Sequence, residues 1–211
     1  MPTTLNKPAG LPVFPPHADP LGDCLLKRLL ESEPRRRAIA WPEGFEGGIA
    51  HRLDNGTSGA VLAANDLSEL ASLREYFRGH RLAKSYLLLA AKDVPWRENT
   101  CTAAIAHHPR KRDRMVARRG AQTAHRGKWY DAHTTFRRLA PRLWQATITT
   151  GVTHQVRVHA AFLGIPIQGD HIYGGGPGPA FHLHHAGLTG PDGFHTGRVP
   201  PPAWAANAPN R

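Results

Sequence analysis

Cysteine is almost missing from this chain. Cys24 and Cys101 are the only two in 211 residues, too few for a disulfide framework or a zinc site. No apolar run approaches the ~20 residues of a membrane-spanning helix. The opening MPTTLNKPAG has no apolar core of a secretory signal. These absences predict a soluble, cytoplasmic protein with no membrane association. The nucleotide-cofactor fingerprints are missing too. There is no G-x-x-x-x-G-K-[ST] loop and no G-x-G-x-x-G after a strand, so no cofactor is expected. Histidine is plentiful, with 14 copies, but His154 and His159 do not share a helical face and have no third ligand at metal spacing. No metal is expected either. Acid is the last shortage. Against 27 Lys and Arg stand 16 Asp and Glu, giving a formal net charge of +11 and a pI near 10.5. Such a surface attracts polyanions, nucleic acid first among them. A membrane surface is the other candidate, but no basic amphipathic helix is present to bind one. With 40% hydrophobic residues, 20% charged residues and 23.1 kDa, residues 1–211 suit one globular domain.

The rest of the chain reads outward from His51–Gly59, HRLDNGTSG. Asp54 is its only acid, two positions after Arg52. Asn55-Gly56 form a turn pair, and the apolar run Ala60–Ala64 follows as a strand. A carboxylate on a Gly-flanked loop at the mouth of a buried strand suits a nucleophile or base. An Asx-turn in which Asp54 or Asn55 caps its own backbone fits the same residues.

Around this loop the pattern alternates between helices and strands. Leu25, Leu26, Leu29 and Leu30 predict a short amphipathic helix within Leu21–Leu30. The triplet Arg35-Arg36-Arg37 reads as a solvated turn. Asp66 with Glu69 resembles a capping box for a helix whose face carries Leu67, Leu70, Ala71 and Phe77, with Leu73 beside them, and which Gly79 ends. Lys84 and Tyr86 lie two apart on a strand, hence on one face. Arg110–Lys128 is the densest basic segment. It includes Arg110, Lys111, Arg112, Arg114, Arg118 and Arg119, and an arm so charged is suited to phosphates. Trp144, Ala146 and Ile148 mark the apolar face of a strand that runs into TGVTHQVRVH. There Gly151 allows a turn, Thr153 is placed to cap a helix beginning near His154, and Arg157 falls in its first turn. Gly164 and Pro166 close that helix.

HRLDNGTSG resembles the H-R-L-D-x-x-T-S-G signature of the RluA-type pseudouridine synthases. Four further stretches resemble that family in the order it requires. They are LNKPAGLPV near the start, the K-x-Y pair Lys84 and Tyr86, TGVTHQVRVH at Thr150–His159, and GDHIYG at Gly169–Gly174. HHAGL at His184–Leu188 and RVPPPAW at Arg198–Trp204 match more loosely. Val152 departs from the pattern, standing where the family has an arginine. The start is also short, with five residues before the first motif, so an edge strand could be missing.

The resemblance implies an α+β domain around a mixed, mostly antiparallel central sheet with flanking helices. It also implies a chain without the family's optional S4-like RNA-binding module. The implied activity is isomerisation of specific uridines in rRNA or tRNA, with no cofactor, by a monomer. In that picture Asp54 is the catalytic carboxylate, Arg157 its ion-pair partner and Tyr86 the ring that holds the base. Arg52 stabilises the vacated site. Lys84, His154 and the basic arm contact RNA. The alternative is an RNA-binding protein of the same fold without catalysis. A kinase-like reading of H-R-L-D fails because Leu53 shifts the acid and no D-F-G accompanies it.

Overall fold

A computed structural model describes residues 1–178, 180–197 and 199–206. Pro179 of the Gly-Pro loop and Arg198 of the RVPPPAW stretch lie outside the described residues. In chain order the elements are β1 (Thr3–Lys7), α1 (Leu25–Ser32), β2 (Ser58–Ala63), α2 (Leu67–Arg78), β3 (Ala83–Leu89), β4 (Glu98–Cys101), β5 (Ile105–His107), β6 (Met115–Ala117), β7 (Arg126–Tyr130), β8 (Thr134–Ala140), β9 (Leu143–Ile148), α3 (Gln155–Phe162) and β10 (Leu183–Thr189). The fold is α+β with mixed, mostly antiparallel strand pairing, as the resemblance implies. No helix among the described residues is long and apolar enough to cross a membrane.

The chain divides into two compact units. The first comprises Met1–Lys84 and His184–Pro201. Here β1 lies antiparallel to β2, with Leu5 opposite Val61, and β10 runs parallel to β2 on its other side. The short N-terminus therefore supplies an edge strand after all. The strand of the apolar run after Asp54 has its Ala60–Ala63 stretch fully buried, flanked on both sides by backbone. Gly59 shows how close that flanking is. Its φ is +119°, and a Cβ there would stand 2.1 Å from the His185 carbonyl oxygen, so only glycine fits. Leu70 and Leu73 of α2 pack with Leu62, Leu82 and Leu188. Leu67 and Ala71, expected on the same face, are both exposed. The capping box forms with a shift: Asp66 accepts from the Glu69 amide, whereas Glu69 accepts from the Asn65 amide. In α1 the helix starts at Leu25, the first residue of its apolar pattern, with Cys24 as its N-cap, whose sulfur accepts from the Lys27 amide.

Arg35 and Arg37 of the arginine triplet are exposed as expected, but Arg36 is not solvated. Arg36 is 1% exposed. Its guanidinium donates to the Gly47 and Ala64 carbonyls, to Thr3 Oγ1 and Asn65 Oδ1, and to Glu33. One planar fork thus ties β1, the end of β2 and two loops together. Replacing Arg36 with methionine keeps the bulk but strands two buried carbonyls. We expect a loss of roughly 3 kcal/mol, read as a lower urea midpoint, and no rescue by lysine, whose single ammonium cannot span the same acceptors.

The second unit runs from Ser85 to Leu183 and resumes at Pro202. It holds the strand order β3-β9-β8-β4 and a separate three-stranded sheet, β6-β5-β7. The β9 pattern behaves as read: Trp144, Ala146 and Ile148 are buried. The basic segment spans β6, the first part of β7 and the turns beside them. Helix α3 begins at Gln155 and is capped by His154, not Thr153. His154 adopts φ 57°, ψ 17°, a left-handed conformation uncommon for a non-glycine residue. Gly164, φ +83°, follows the helix end, where a left-handed residue commonly stops a helix.

Candidate active site

The Asp54 loop belongs to the first unit and is tied from below. The Thr57 amide donates to the Asp54 carbonyl at 3.0 Å, closing the turn over Asn55-Gly56. Asn55 in turn accepts at its carbonyl from the Gly10 amide, 2.8 Å away, and from Lys7 Nζ, 3.0 Å away. Lys7 is fully buried and its ammonium also donates to the Pro8 and Leu11 carbonyls. Burial pushes its pKa down to about 8, while the negative charge of Asp54 pulls it back up. A buried cation therefore lies within electrostatic reach of Asp54 inside the same unit. Sequence reasoning missed it, although Lys7 stands in the N-K-P entry that carries the resemblance. Asp54 itself is half-buried and Arg52 is exposed.

Beneath the loop lies a nitrogen-rich cluster. His51 Nε2 accepts from the Leu62 amide at 3.1 Å, so this nitrogen carries no proton and the ring is neutral. Its ring meets Phe77 and, edge-on, His185. Burial, then the neighbouring His185 and Lys84, hold His51 well below the usual histidine range. Lys84 lies 5.4 Å from the Phe77 ring centroid, and burial lowers it to about 8. His184, whose Nδ1 is 2.9 Å from Ser58 Oγ, and His185, whose Nδ1 donates to the Ala60 carbonyl, are both lowered to about 4, chiefly by burial.

This cluster sets a pH dependence. Free histidine titrates near 6.5, so between pH 6.5 and 4 the unfolded chain binds more protons than the folded one. Stability is full above that window and falls as pH drops through it. His184 and His185 should each cost on the order of 2 kcal/mol by pH 5. Urea midpoints at pH 5 should lie well below those at pH 7, and His184→Asn should flatten the difference. Lys7 and Lys84 extend the same trend upward, adding stability as pH rises from about 8 toward 10.4.

The second unit holds Tyr86, Arg157, His154 and the arm. Tyr86 is buried on β3. Arg157 is also buried, and its partner within this unit is Asp170, a residue of the GDHIYG stretch that the sequence did not single out. Nε donates to Oδ2 at 2.8 Å and Nη2 to Oδ1 at 3.0 Å. The guanidinium lies 5.1 Å from each of the Tyr173 and Phe181 ring centroids. Held edge-on by the carboxylate and faced by two rings, it has little freedom to move. Asp170 Oδ1 also accepts from the Ile172 and Tyr173 amides.

Tyr173 brings several candidate residues together. Its hydroxyl is 2.8 Å from His154 Nδ1 and accepts from the Met115 amide at 2.8 Å. Its ring faces Arg157 and, at 5.9 Å, Arg114. The bond to Tyr173 helps hold His154 in its left-handed conformation, the kind of local strain that gathers at functional sites. Gln155 fixes the preceding turn by accepting from Thr150 Oγ1 and the Val152 amide and donating to the His133 carbonyl. Along the arm, Arg110, Lys111, Arg112, Arg118 and Arg119 are exposed and Arg114 is half-buried. Arg118 lies over Trp129.

Residues 3–162 match the family model described as RNA pseudouridylate synthase. The chain belongs to this family. It is 35% identical over 173 residues to the "Ribosomal large subunit pseudouridine synthase D" of Xylella fastidiosa, an alignment covering 81% of this chain and 48% of that protein. It is 36% identical over 139 residues to the "RNA pseudouridine synthase 2, chloroplastic" of Oryza sativa subsp. japonica, covering 64% of this chain and 31% of that one. The chain thus spans about half the length, or less, of these family members. Among solved structures, "Human RNA Pseudouridylate Synthase Domain Containing 1" shares the fold, with a TM-score of 0.76 at 23% identity over 97% of this chain and 81% of that one.

Proposed function

We propose that this protein converts uridine to pseudouridine in RNA, with Asp54 as the reacting carboxylate. Family membership supports the reaction, and the Asp54 loop supports the residue. The single observation that carries the assignment is that loop, a half-buried acid on a turn anchored through the Asn55 carbonyl to a buried lysine. In the reaction the N1–C1′ bond breaks, the uracil turns, a C5–C1′ bond forms and the C5 proton leaves. Nothing is consumed, so the balance needs no cofactor.

The chain's own groups divide the work. Asp54 must stay ionised beside the sugar or ring, and taking a carboxylate from water costs several kcal/mol unless it is paired. Lys7 supplies one positive charge nearby. Arg157 is the proposed direct partner, its orientation set by Asp170, Tyr173 and Phe181. Tyr86 offers a stacking face for the free uracil. The target must leave its stack to reach the acid, at a cost of a few kcal/mol. Arg52 would stabilise the vacated position. Lys84, His154 and the arm from Arg110 to Arg119 grip the backbone without reading sequence. The substrate we favour is rRNA, as the name of the Xylella relative suggests, with tRNA as the other candidate. A monomer suffices, because all the proposed groups lie on one chain.

Comparing pseudouridine positions in RNA from cells with and without the protein tests this reading. Loss of one or a few defined positions supports it and names the substrate. Unchanged positions across rRNA and tRNA reject it.

A further inference from the structure

A groove of about 670 Å³ lies within the second unit, between β6, the outer side of α3 and the turn at His171–Gly174. Its floor is apolar, formed by Met115, Val158 and Ala161. Two arginine–aromatic pairs stand at its sides. Arg119 lies 4.8 Å over the Phe162 ring, and Arg114 lies 5.9 Å over Tyr173. No acidic residue lines it among the described residues. Arg114 Nε is buried and has no hydrogen-bond partner there, and a donor so placed calls for an acceptor.

We propose that this groove binds one unstacked nucleotide of the RNA, distinct from the uridine that is isomerised. The volume is that of a small-ligand site. A base needs a flat apolar or cationic platform, which the paired rings and guanidiniums provide. Its phosphate needs a donor, which the half-buried guanidinium of Arg114 provides. Arg114 and Arg119 thus do more than add charge to the arm. They frame a pocket that selects single-stranded over paired RNA, because a base inside a helix cannot enter it. The inference rests on the reading of this protein as RNA-binding but not on its chemistry.

The test uses the full chain and a fluorescein-labelled, eight-nucleotide RNA of mixed sequence, free or annealed to its complement, followed by anisotropy over a range of salt. Ala161→Trp fills the groove from the surface of α3. It should weaken single-strand binding about tenfold, the size of one lost stacking contact. The slope of log affinity against log salt should fall by about one unit at most, the share of the one phosphate that leaves with the nucleotide, and duplex binding should not move. Phe162→Ser, at the partly exposed end of the helix, should act in the same direction and serves if the tryptophan variant does not fold. Unchanged single-strand affinity, an equal loss on the duplex, or no RNA binding by the wild type overturns the proposal. Pseudouridine formation, measured separately, can fail while groove-dependent binding persists, and the reverse, so the two readings fall independently.

Discussion

Asp54→Asn should abolish pseudouridine formation while leaving RNA binding intact. The substitution keeps the size and hydrogen-bonding shape of the side chain and removes only its charge and nucleophilicity. If Asp54 is the reacting group, the rate falls by about 10⁴-fold or more, as when an enzyme loses its central reacting side chain. Binding holds or tightens, since an anion that repels phosphate has gone. The turn itself keeps its ties, because the Thr57 amide bonds the Asp54 carbonyl and Lys7 Nζ bonds the Asn55 carbonyl, and the substitution touches neither. Lys7 also reports on the change. Its pKa, about 8, is lowered by burial and partly restored by Asp54, so the asparagine variant should show a lower lysine pKa. Nucleoside chromatography of digested product RNA gives the rate. A variant that retains a tenth of wild-type activity removes Asp54 from the mechanism.

The second large effect is expected at Asp170. Arg157 and Asp170 are 8% and 1% exposed. Asp170→Asn takes away the carboxylate that engages two nitrogens of the guanidinium and leaves a buried cation without that anion. Breaking one side of such a pair costs about 3–5 kcal/mol, or a fall in Tm on the order of 10 °C for a chain of this size. Activity falls as well, because the orientation of Arg157 is lost. The double replacement Asp170→Asn with Arg157→Met separates the two consequences. An apolar side chain between Tyr173 and Phe181 removes the stranded charge, so stability should recover most of the loss. Activity should not recover if Arg157 serves Asp54. Recovery of both would make the pair purely structural.

These two residues also mark the limits of the sequence. What repeats locally was legible. The two-residue period of β9, the Asp66 cap, and the turn before the buried strand all follow from neighbours in the chain, and each is where the pattern put it. The motifs carried the family and the α+β fold. What escaped depends on partners distant along the chain. Arg36 sits in a triplet that looks solvated, yet its acceptors include the Ala64 carbonyl, 28 positions on. No local pattern marks a carbonyl as needing a donor. Asp170 and Tyr173 were noticed as part of a motif but given no role, because only the fold brings that turn to the side chains of α3. The helix start fell within one residue of its expected place, but the cap went to another residue for a subtler reason. Thr153 is the better capping residue by propensity, but His154 takes the cap in a left-handed conformation, with its ring bonded to Tyr173. Tertiary contacts outweighed propensity at this helix start.

The central claim is that this chain breaks and remakes a glycosidic bond through Asp54. It is met most directly by incubating the purified protein, with nothing else added, with RNA carrying tritium at C5 of uridine. The account predicts tritium released to water in step with pseudouridine formed, and none from Asp54→Asn. Tight RNA binding by the wild type with no release at all would contradict it and leave an RNA-binding protein built on the same fold.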